Sequence, residues 1–267
     1  CIALVLVILV LARPQTTNKW QNSEIEGIDI MLAIDVSTSM LAEDLKPNRL
    51  EAAKDVAAEF INGRPNDNIG ITLFAGETFT QCPLTVDHAV LLDMIHNIKC
   101  GLITDGTAVG MGIANAVTRL KDSKAKSKVI ILLTDGTNNK GDISPMTAAE
   151  IAKSFGIRVY TIGVGTNGMA PYPYPVGNTV QYVSMPVEID EKTLTEIAGT
   201  TDGNYFRATS NSKLKEVYEE IDKLEKTKLN VKEYSKRDEE YHWFALAAFL
   251  CVLLEVLLRN SVLKKIP

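Results

Sequence analysis

Three stretches of the 267-residue chain are almost continuously apolar and end at a glycine or an aspartate. They cover residues 27–35, 128–135 and 158–165, and read GIDIMLAID, KVIILLTD and RVYTIGVG. Strands buried on both faces have this pattern, because helices cover a parallel sheet above and below. The three runs therefore predict a largely parallel sheet, which confines the chain to the α/β class.

Amphipathic segments with helical spacing separate the apolar runs. We predict helices over 47–61, 86–98, 109–120, 145–155, 191–198 and 213–228. Shorter strands are predicted at 69–74 and, at the sheet edges, at 78–84 and 205–207. This alternation is typical of a doubly wound, mainly parallel sheet flanked by helices, as in Rossmann-like folds.

The segment 166–185 interrupts the alternation, since it is rich in proline, glycine and tyrosine. We interpret it as a long connection after a central strand, a position where loops are often functional. Tyr172 and Tyr174, which lie between prolines, are either a partner-binding platform or part of a packed surface loop.

The two ends of the chain differ from its middle. Residues 1–12 carry no charge, and residues 243–258 carry only Glu255. A membrane-spanning helix needs about 17–25 apolar residues, so we predict a transmembrane helix over 242–258. We interpret 1–13 as the end of a longer, truncated transmembrane segment. A buried core helix is the alternative for the C-terminal run, and a signal-peptide remnant for the N-terminal one.

Charges around the C-terminal run predict the orientation of the chain. Residues 259–267 hold three basic side chains and no acidic one, whereas 236–241 mix two basic with three acidic residues. The positive-inside rule therefore places the basic tail, 259–267, in the cytoplasm. The central domain, 24–228, and a charged linker, 229–241, are then expected on the periplasmic side of a bacterial inner membrane. Whether Cys82 and Cys100 pair there stays open.

Carboxylate and hydroxyl side chains follow two of the apolar runs. The first ends in Asp35, with Ser37 and Ser39 just beyond it, and another ends in Asp135. Ligands of doubly wound sheets bind beyond the carboxyl ends of the strands, so these side chains face one crevice. Thr107, in a glycine-containing loop before a helix, offers another hydroxyl. An oxygen-only set suits a hard cation such as Mg²⁺, with Mn²⁺ or Ca²⁺ as alternatives.

Simpler interpretations exist for each of these residues. Asp35, Ser37 and Ser39 are also typical of helix N-caps and turns, and Asp135 of an ordinary turn after a strand. Thr107 would equally suit the cap of the helix that follows it.

The combination resembles the von Willebrand factor A (VWA) domain family and its metal-ion-dependent adhesion site (MIDAS). The resemblance covers roughly residues 24–228. The D-x-S-x-S element matches at Asp35, Ser37 and Ser39, the loop threonine at Thr107 and the later aspartate at Asp135. It implies that the hydroxyls bind the metal directly and that the aspartates act mostly through water. It also implies that a partner protein supplies an Asp or Glu to the open coordination position.

Local sequence narrows the resemblance further. The segments MLAEDLKPNRLEAAK, FAGETFTQCPLT and MPVEIDEKTL, together with the flanking apolar runs, are similar to BatA-type membrane proteins of the Bacteroides aerotolerance group. That similarity implies a stress-related membrane complex. Its expected partners are other VWA or Bat membrane proteins and a MoxR-type AAA+ ATPase system.

We predict a binding module that is not an enzyme. A net charge of −5 argues against a polybasic nucleic-acid binder. Neither a P-loop nor a nucleophile–base pair is recognisable, and Lys140 is the nearest basic candidate to the predicted site. His88 and His96 lack a cysteine pair nearby, so a zinc site is not expected. The alternatives are a structural subunit whose metal only stabilises the fold, and a Mg²⁺-dependent hydrolase.

Overall fold

The fold is described from a computed structural model, which covers residues 15–16, 27–166, 168–176, 179–230, 238–239, 245–246, 249–250 and 253. Its strands are β1 (Gln15–Thr16), β2 (Asp29–Asp35), β3 (Asn68–Phe74), β4 (Thr78–Thr85), β5 (Lys128–Thr134), β6 (Arg158–Val164), β7 (Met169–Val176), β8 (Thr179–Pro186), β9 (Tyr205–Ala208) and β10 (Asp238–Glu239). Its α-helices are α1 (Arg49–Asn62), α2 (His88–His96), α3 (Val109–Leu120), α4 (Pro145–Ser154), α5 (Glu191–Thr200) and α6 (Asn211–Asn230), and a 3₁₀ helix covers Thr38–Leu41.

A six-stranded sheet, in the order β4-β3-β2-β5-β6-β9, forms the centre of the compact unit 24–230. Neighbouring strands are parallel except β3 and β4, which are antiparallel. Ile30 and Leu32 of β2 belong to one buried apolar cluster, and Met31 and Ala33 to another. Because side chains alternate along a strand, helices pack on both faces of the sheet. The predicted α/β fold with a mainly parallel, helix-flanked sheet is confirmed.

Helix starts follow the capping residues more closely than the apolar periodicity. Helix α1 begins at Arg49, not at Pro47, since the Asn48 side chain accepts a hydrogen bond from Glu51 N at 2.8 Å. Helix α2 begins after Asp87, whose carboxylate accepts from Val90 N. An N-cap side chain satisfies a backbone N–H that has no partner within the helix.

The segment that we predicted as a long connection contains a β-hairpin. Strands β7 and β8 pair antiparallel from Met169–Pro186 to Val176–Thr179. The prolines at 171, 173 and 175 misled the prediction, because proline is unfavourable inside sheets. Their alternate spacing puts all three missing N–H groups on the edge of β7 that faces away from β8. Pairing between the two strands is therefore undisturbed.

The predicted transmembrane segments, 1–13 and 242–258, and the basic tail lie outside the described residues, apart from 245–246, 249–250 and 253. No helix within the described part of the chain is long and apolar enough to cross a membrane. Residues 1–23 and 231–267 form a separate unit, in which β1 pairs antiparallel with β10.

Candidate metal centre

The carboxyl ends of β2 and β5 bring the first predicted site residues together. These strands are parallel neighbours with Ile34 opposite Leu133, so the residues that follow emerge side by side. Thr134 Oγ1 donates a hydrogen bond of 2.7 Å to Asp35 Oδ2. The Asp35 side chain is fully buried, and Asp135 is 2% exposed. The sheet register thus places two buried carboxylates at one edge.

A tight turn after β2 adds two hydroxyl groups to these carboxylates. Ser37 N donates to Asp35 Oδ1 at 2.9 Å, and the 3₁₀ helix then brings the Ser37 and Ser39 hydroxyls to 2.9 Å from each other. Ser39 Oγ donates to Asp135 Oδ1 at 2.7 Å. Ser37 occupies the N-cap position of the 3₁₀ helix, but its side chain makes no capping hydrogen bond. The simple capping interpretation therefore fails for this serine.

Thr107 lies against the chain that leaves β5. A Cβ atom on Gly136, the residue after Asp135, would be 3.3 Å from Thr107 Oγ1. The threonine backbone is fixed from the other side, since Thr107 N donates to Asn139 Oδ1 at 2.9 Å. Helix α3 has Ala108 at its N-cap and no side-chain cap. The alternative interpretation of Thr107 as a helix cap is therefore wrong, and its hydroxyl lies beside the Asp135 turn.

Arg49 is a central member of the cluster that the sequence analysis missed. Arg49 is 3% exposed, and its guanidinium donates through Nη1 to Asp135 Oδ2 at 2.7 Å. Nε and Nη2 donate to the two carboxylate oxygens of Asp44, also at 2.7 Å. Gly165 leaves space for this fork, because a Cβ there would lie 2.9 Å from Arg49 Nη2. Arg49 and Asp44 lie in MLAEDLKPNRLEAAK, but no local pattern predicts their contact with Asp135.

Asp105 ties the Thr107 loop to the turn after β2. Its carboxylate accepts from Thr38 N at 3.0 Å and from Thr38 Oγ1 at 2.9 Å. Gly106 has a φ of +126°, which residues with a side chain rarely adopt, and so lets the chain reverse between Asp105 and Thr107. Lys140 Nζ donates to the Asp105 carbonyl at 2.7 Å. Lys140, which the sequence indicated as the nearest basic candidate, is thus bound to the loop backbone, whereas Arg49 is the basic side chain that contacts the site.

Burial and like charge dominate the electrostatics of the cluster. Burial and the nearby Asp135 carboxylate raise the pKa of Asp35 to about 7. Burial also raises the pKa of Asp135, although Arg49 opposes this. Burial alone would raise the pKa of Asp44, but hydrogen bonds from Arg49 and from Thr166 N hold it below its ordinary value. Arg49 therefore pairs with the carboxylates of Asp44 and Asp135. Asp35 instead accepts hydrogen bonds from the neutral donors Ser37 N and Thr134 Oγ1.

The described cysteines do not form a disulfide. Cys82 and Cys100 are both free. Burial and the Asp35 and Asp135 carboxylates raise the pKa of Cys100 to about 12, so its thiol stays protonated at neutral pH. Its sulfur donates to the Ser37 carbonyl at 3.4 Å, which makes the thiol a packing neighbour of the turn.

The side chains present fit a hard divalent cation. Their donors are all oxygens, from Ser37, Ser39, Thr107, Asp35 and Asp135, which is the chemistry that Mg²⁺, Mn²⁺ and Ca²⁺ prefer. Counting Asp44, three carboxylates lie around a single guanidinium, and burial together with the Asp135 carboxylate raises the pKa of Asp35. A cation would offset that charge.

Among the residues that the structure describes, histidine and cysteine form no competing metal site. Within the described residues, no group of three or more His, Cys, Asp or Glu side chains is placed to hold a metal. His88 Nε2 hydrogen-bonds to the Asp67 carbonyl, and His96 Nδ1 to the Leu92 carbonyl. Each histidine thus has a backbone partner.

Comparison with known proteins finds a family match over the part of the chain that contains this cluster. A family model described as the von Willebrand factor type A domain matches residues 29–220. A UPF0353 protein of Mycolicibacterium paratuberculosis is 32% identical over 203 residues, covering 71% of this chain. The match spans 58% of that relative's length.

Solved structures with similar sequences share the fold. The protein BatB of Bacteroides thetaiotaomicron is 34% identical, with a TM-score of 0.66 over 75% of this chain and all of the solved one. An aerotolerance-related membrane protein of Bacteroides fragilis is 34% identical, with a TM-score of 0.64 over 74% of this chain and all of its own. Proximal thread matrix protein 1 of the mussel byssus, described with zinc in its MIDAS motif, is 25% identical, with a TM-score of 0.59, over 74% of this chain and 46% of its own.

Proposed function

The chain belongs to the von Willebrand factor type A domain family, and from that membership we propose that it is a divalent-cation-dependent protein-binding module. The observation that carries the proposal is the convergence of Asp35, Ser37, Ser39 and Asp135 in one chain of hydrogen bonds, next to Thr107. Hydrogen bonds between these hydroxyls add little to the stability of the fold. A hard cation, in contrast, binds through several oxygen ligands that surround one point.

Each residue has a separate task in this proposal. Ser37, Ser39 and Thr107 hold the cation through their hydroxyls, and the buried carboxylates of Asp35 and Asp135 supply negative charge. Arg49 fixes the second oxygen of Asp135, which orients the first toward Ser39. When bound, the cation would offer an open coordination position to an Asp or Glu of a partner protein. Mg²⁺ is the proposed ion, with Mn²⁺ and Ca²⁺ as alternatives.

Metal titration of matched variants tests the proposal. Asp35→Asn should weaken Mg²⁺ or Mn²⁺ binding, measured by calorimetry, by about 100-fold. The control is Asp29→Asn at the opposite end of the same strand, where the carboxylate accepts from Asn68 and Ser123. Equal affinity in wild type and Asp35→Asn would overturn the site.

A peptide comparison separates binding from the two alternative functions. A peptide library with a central Asp should bind the wild-type chain only with Mg²⁺, and the same library with Asn should not. Metal binding that raises the melting temperature without any Asp-dependent capture would favour the structural subunit. Metal-dependent turnover of a phosphoester, lost in Asp35→Asn, would favour the hydrolase.

We propose that the domain works in an aerotolerance or stress-related membrane complex. The support is the 34% identity to an aerotolerance-related membrane protein and to BatB. Other VWA or Bat membrane proteins and a MoxR-type AAA+ ATPase system are the proposed partners.

We propose a membrane-anchored arrangement for the whole chain. The VWA domain, 24–228, is held in the periplasm between an apolar segment at 1–13 and, after a linker at 229–241, a transmembrane helix at 242–258 with a cytoplasmic tail at 259–267. A cysteine at the exposed loop position Lys124 tests this topology. An impermeant maleimide should label it once the outer membrane is opened, and labelling only after lysis of the inner membrane would contradict it.

A further inference from the structure

A lysine-rich loop joins α3 to β5. Residues 121–128, called the lysine loop below, read KDSKAKSK and contain four lysines against one aspartate, in a chain whose net charge is −5. Lys121, Lys124 and Lys126 are exposed. Among the residues that the structure describes, no carboxylate forms an ion pair with Lys121 or Lys124. The lysine loop is therefore a patch of net positive charge on an acidic chain.

Inward hydrogen bonds hold the lysine loop against the sheet. Ser123 Oγ donates to Asp29 Oδ2 at 2.5 Å, and Ser127 Oγ donates to Glu225 Oε2 at 2.8 Å. The Ser127 carbonyl also accepts a hydrogen bond of 3.1 Å from Asp29 N. The serines thus face the sheet, and the lysines that alternate with them are exposed.

These contacts place the lysine loop where both ends of the domain lead to the predicted membrane segments. Asp29 is the first residue of β2, which follows the apolar segment 1–13, and Glu225 lies near the end of α6. The linker 229–241 spans at most about 45 Å when extended, which limits how far the end of α6 can be from a helix at 242–258. The position of the loop near a membrane therefore rests on the membrane-anchored arrangement proposed above.

The carboxyl end of the sheet has the opposite charge. The carboxylates of Asp35, Asp44 and Asp135 lie there around Arg49. Strand β2 has seven residues and so separates the two ends by about 23 Å. This distance exceeds the Debye length of about 8 Å at physiological ionic strength. The acidic end therefore does not cancel an attraction between the lysine loop and an anionic surface.

We propose that the lysine loop binds the anionic phospholipid headgroups of the membrane to which its own chain is anchored. Each lysine close to such a surface strengthens binding by about fivefold. The loop contains no large apolar side chain, so the contact is electrostatic and lies at the hydrated surface of the lipid. Contact at this end of the sheet directs the proposed metal centre, at the other end, away from the membrane and towards a partner protein.

Acetylation of the full chain in lipid nanodiscs tests the proposal. One set of discs contains phosphatidylcholine alone, and the other an equal mixture of phosphatidylcholine and phosphatidylglycerol. Mass spectrometry should show acetylation of Lys121 and Lys124 slowed at least about fivefold in the anionic discs. Lys46 and Lys213, near Asn211 at the start of α6, should react equally in both. About 1 M NaCl should remove the difference, because it shortens the screening length to about 3 Å.

Two matched triple variants identify the lysines responsible. Each removes three exposed positive charges, one from the lysine loop and the other from the opposite end of the sheet: Lys121→Gln, Lys124→Gln and Lys126→Gln, and Lys46→Gln, Lys192→Gln and Lys213→Gln. Acetylation of Lys128, which both variants keep, is the common readout. Its protection in anionic discs should be lost in the first variant and kept in the second.

The outcomes separate this proposal from the membrane anchoring on which it rests. A full chain that does not enter neutral discs would refute the anchoring, and the lipid contact with it. An anchored chain with equal acetylation of Lys121 and Lys124 in both discs would overturn the lipid contact alone. Protection that salt removes in neutral discs as well would assign the loop to an acidic protein segment, such as 236–241, and would also reject the lipid.

Discussion

Two buried carboxylate clusters lie at opposite ends of the same sheet, and their charges are balanced differently. At the amino end, Glu225 of α6 accepts from Arg158, from Tyr160 at 2.5 Å and from Ser127 at 2.8 Å. Burial alone would raise the pKa of Glu225, but the hydrogen bonds from Arg158 and Tyr160 hold it below its ordinary value. In this cluster the Glu225 carboxylate is paired with the Arg158 guanidinium.

At the carboxyl end, the Arg49 guanidinium lies among three carboxylates, those of Asp35, Asp44 and Asp135, and cannot neutralise all of them. Arg49 binds Asp44 and Asp135, and Asp35 is left with neutral donors from Ser37 and Thr134. Burial, and then the nearby Asp135 carboxylate, raise the pKa of Asp35 to about 7. A satisfied network stabilises the fold, whereas a cluster with surplus charge is suited to a ligand.

Arg158→Met should have one of the two largest effects on stability. It leaves the buried Glu225 carboxylate without its cationic partner, which costs about 3–5 kcal/mol. Because Glu225 is matched by Arg158 and lies at the end of the sheet away from the predicted metal centre, Mg²⁺ should not restore the loss. Urea denaturation with EDTA and with Mg²⁺ measures both values, and recovery in Mg²⁺ would show that the two clusters are not independent.

Arg49→Met should destabilise the metal-free chain by a similar amount, about 3–5 kcal/mol, since Asp135 and Asp44 lose their common partner. Here saturating Mg²⁺ should restore part of the loss, because the cation would sit beside Asp135. The same denaturation experiment measures the difference between the two conditions. A loss identical with and without Mg²⁺ would contradict a metal role for Asp135.

The pH dependence of the two clusters should have opposite signs. Glu225 has a lowered pKa, so its stabilising contribution is present at neutral pH and is lost as the pH falls through that lowered value. Asp35 has a raised pKa, so its contribution is full below about pH 4 and is lost as the pH rises through about 7.

Asp35→Asn isolates the second of these effects. In EDTA, wild type should lose about 1–2 kcal/mol relative to Asp35→Asn between pH 5 and pH 8. Thermal unfolding at the two pH values, with Glu225→Gln as the control, provides the measurement. If the stability of wild type and of Asp35→Asn changed equally between the two pH values, the pKa of Asp35 would not be raised in the folded chain.

Thr134→Val and Ser127→Ala should give the smallest effects, about 1 kcal/mol each, since each removes one hydroxyl donor from a buried carboxylate. Only Thr134→Val should also change Mg²⁺ affinity, by a few-fold, because its hydroxyl positions Asp35. Calorimetric titration of both variants is the check, and a matching change in Ser127→Ala would remove the distinction between the clusters.

The parts of the site that follow a strand were predictable from sequence. An apolar run fixes where a buried strand ends, and parallel register then aligns Asp35 with the turn at Asp135. Thr107 required more than spacing, since helix capping explained it equally well until the Ala108 N-cap was known.

Strand ends and helical periodicity do not predict ion pairs between residues that are distant in the sequence. Arg49 opens an amphipathic helix, where periodicity indicates a solvated polar residue, yet the fold buries it against Asp135. The hairpin was missed for a different reason, because prolines were counted as breakers without regard to their alternate spacing. That spacing is visible in the sequence and does predict an edge strand.

Anomalous diffraction from crystals grown with Mn²⁺ shows directly whether the carboxyl end of the sheet is the metal centre. We expect one strong peak in contact with the hydroxyl oxygens of Ser37 and Ser39 and near Thr107, and none beside Glu225. A peak elsewhere with this cluster empty, at a Mn²⁺ concentration that saturates the chain in solution, would contradict it.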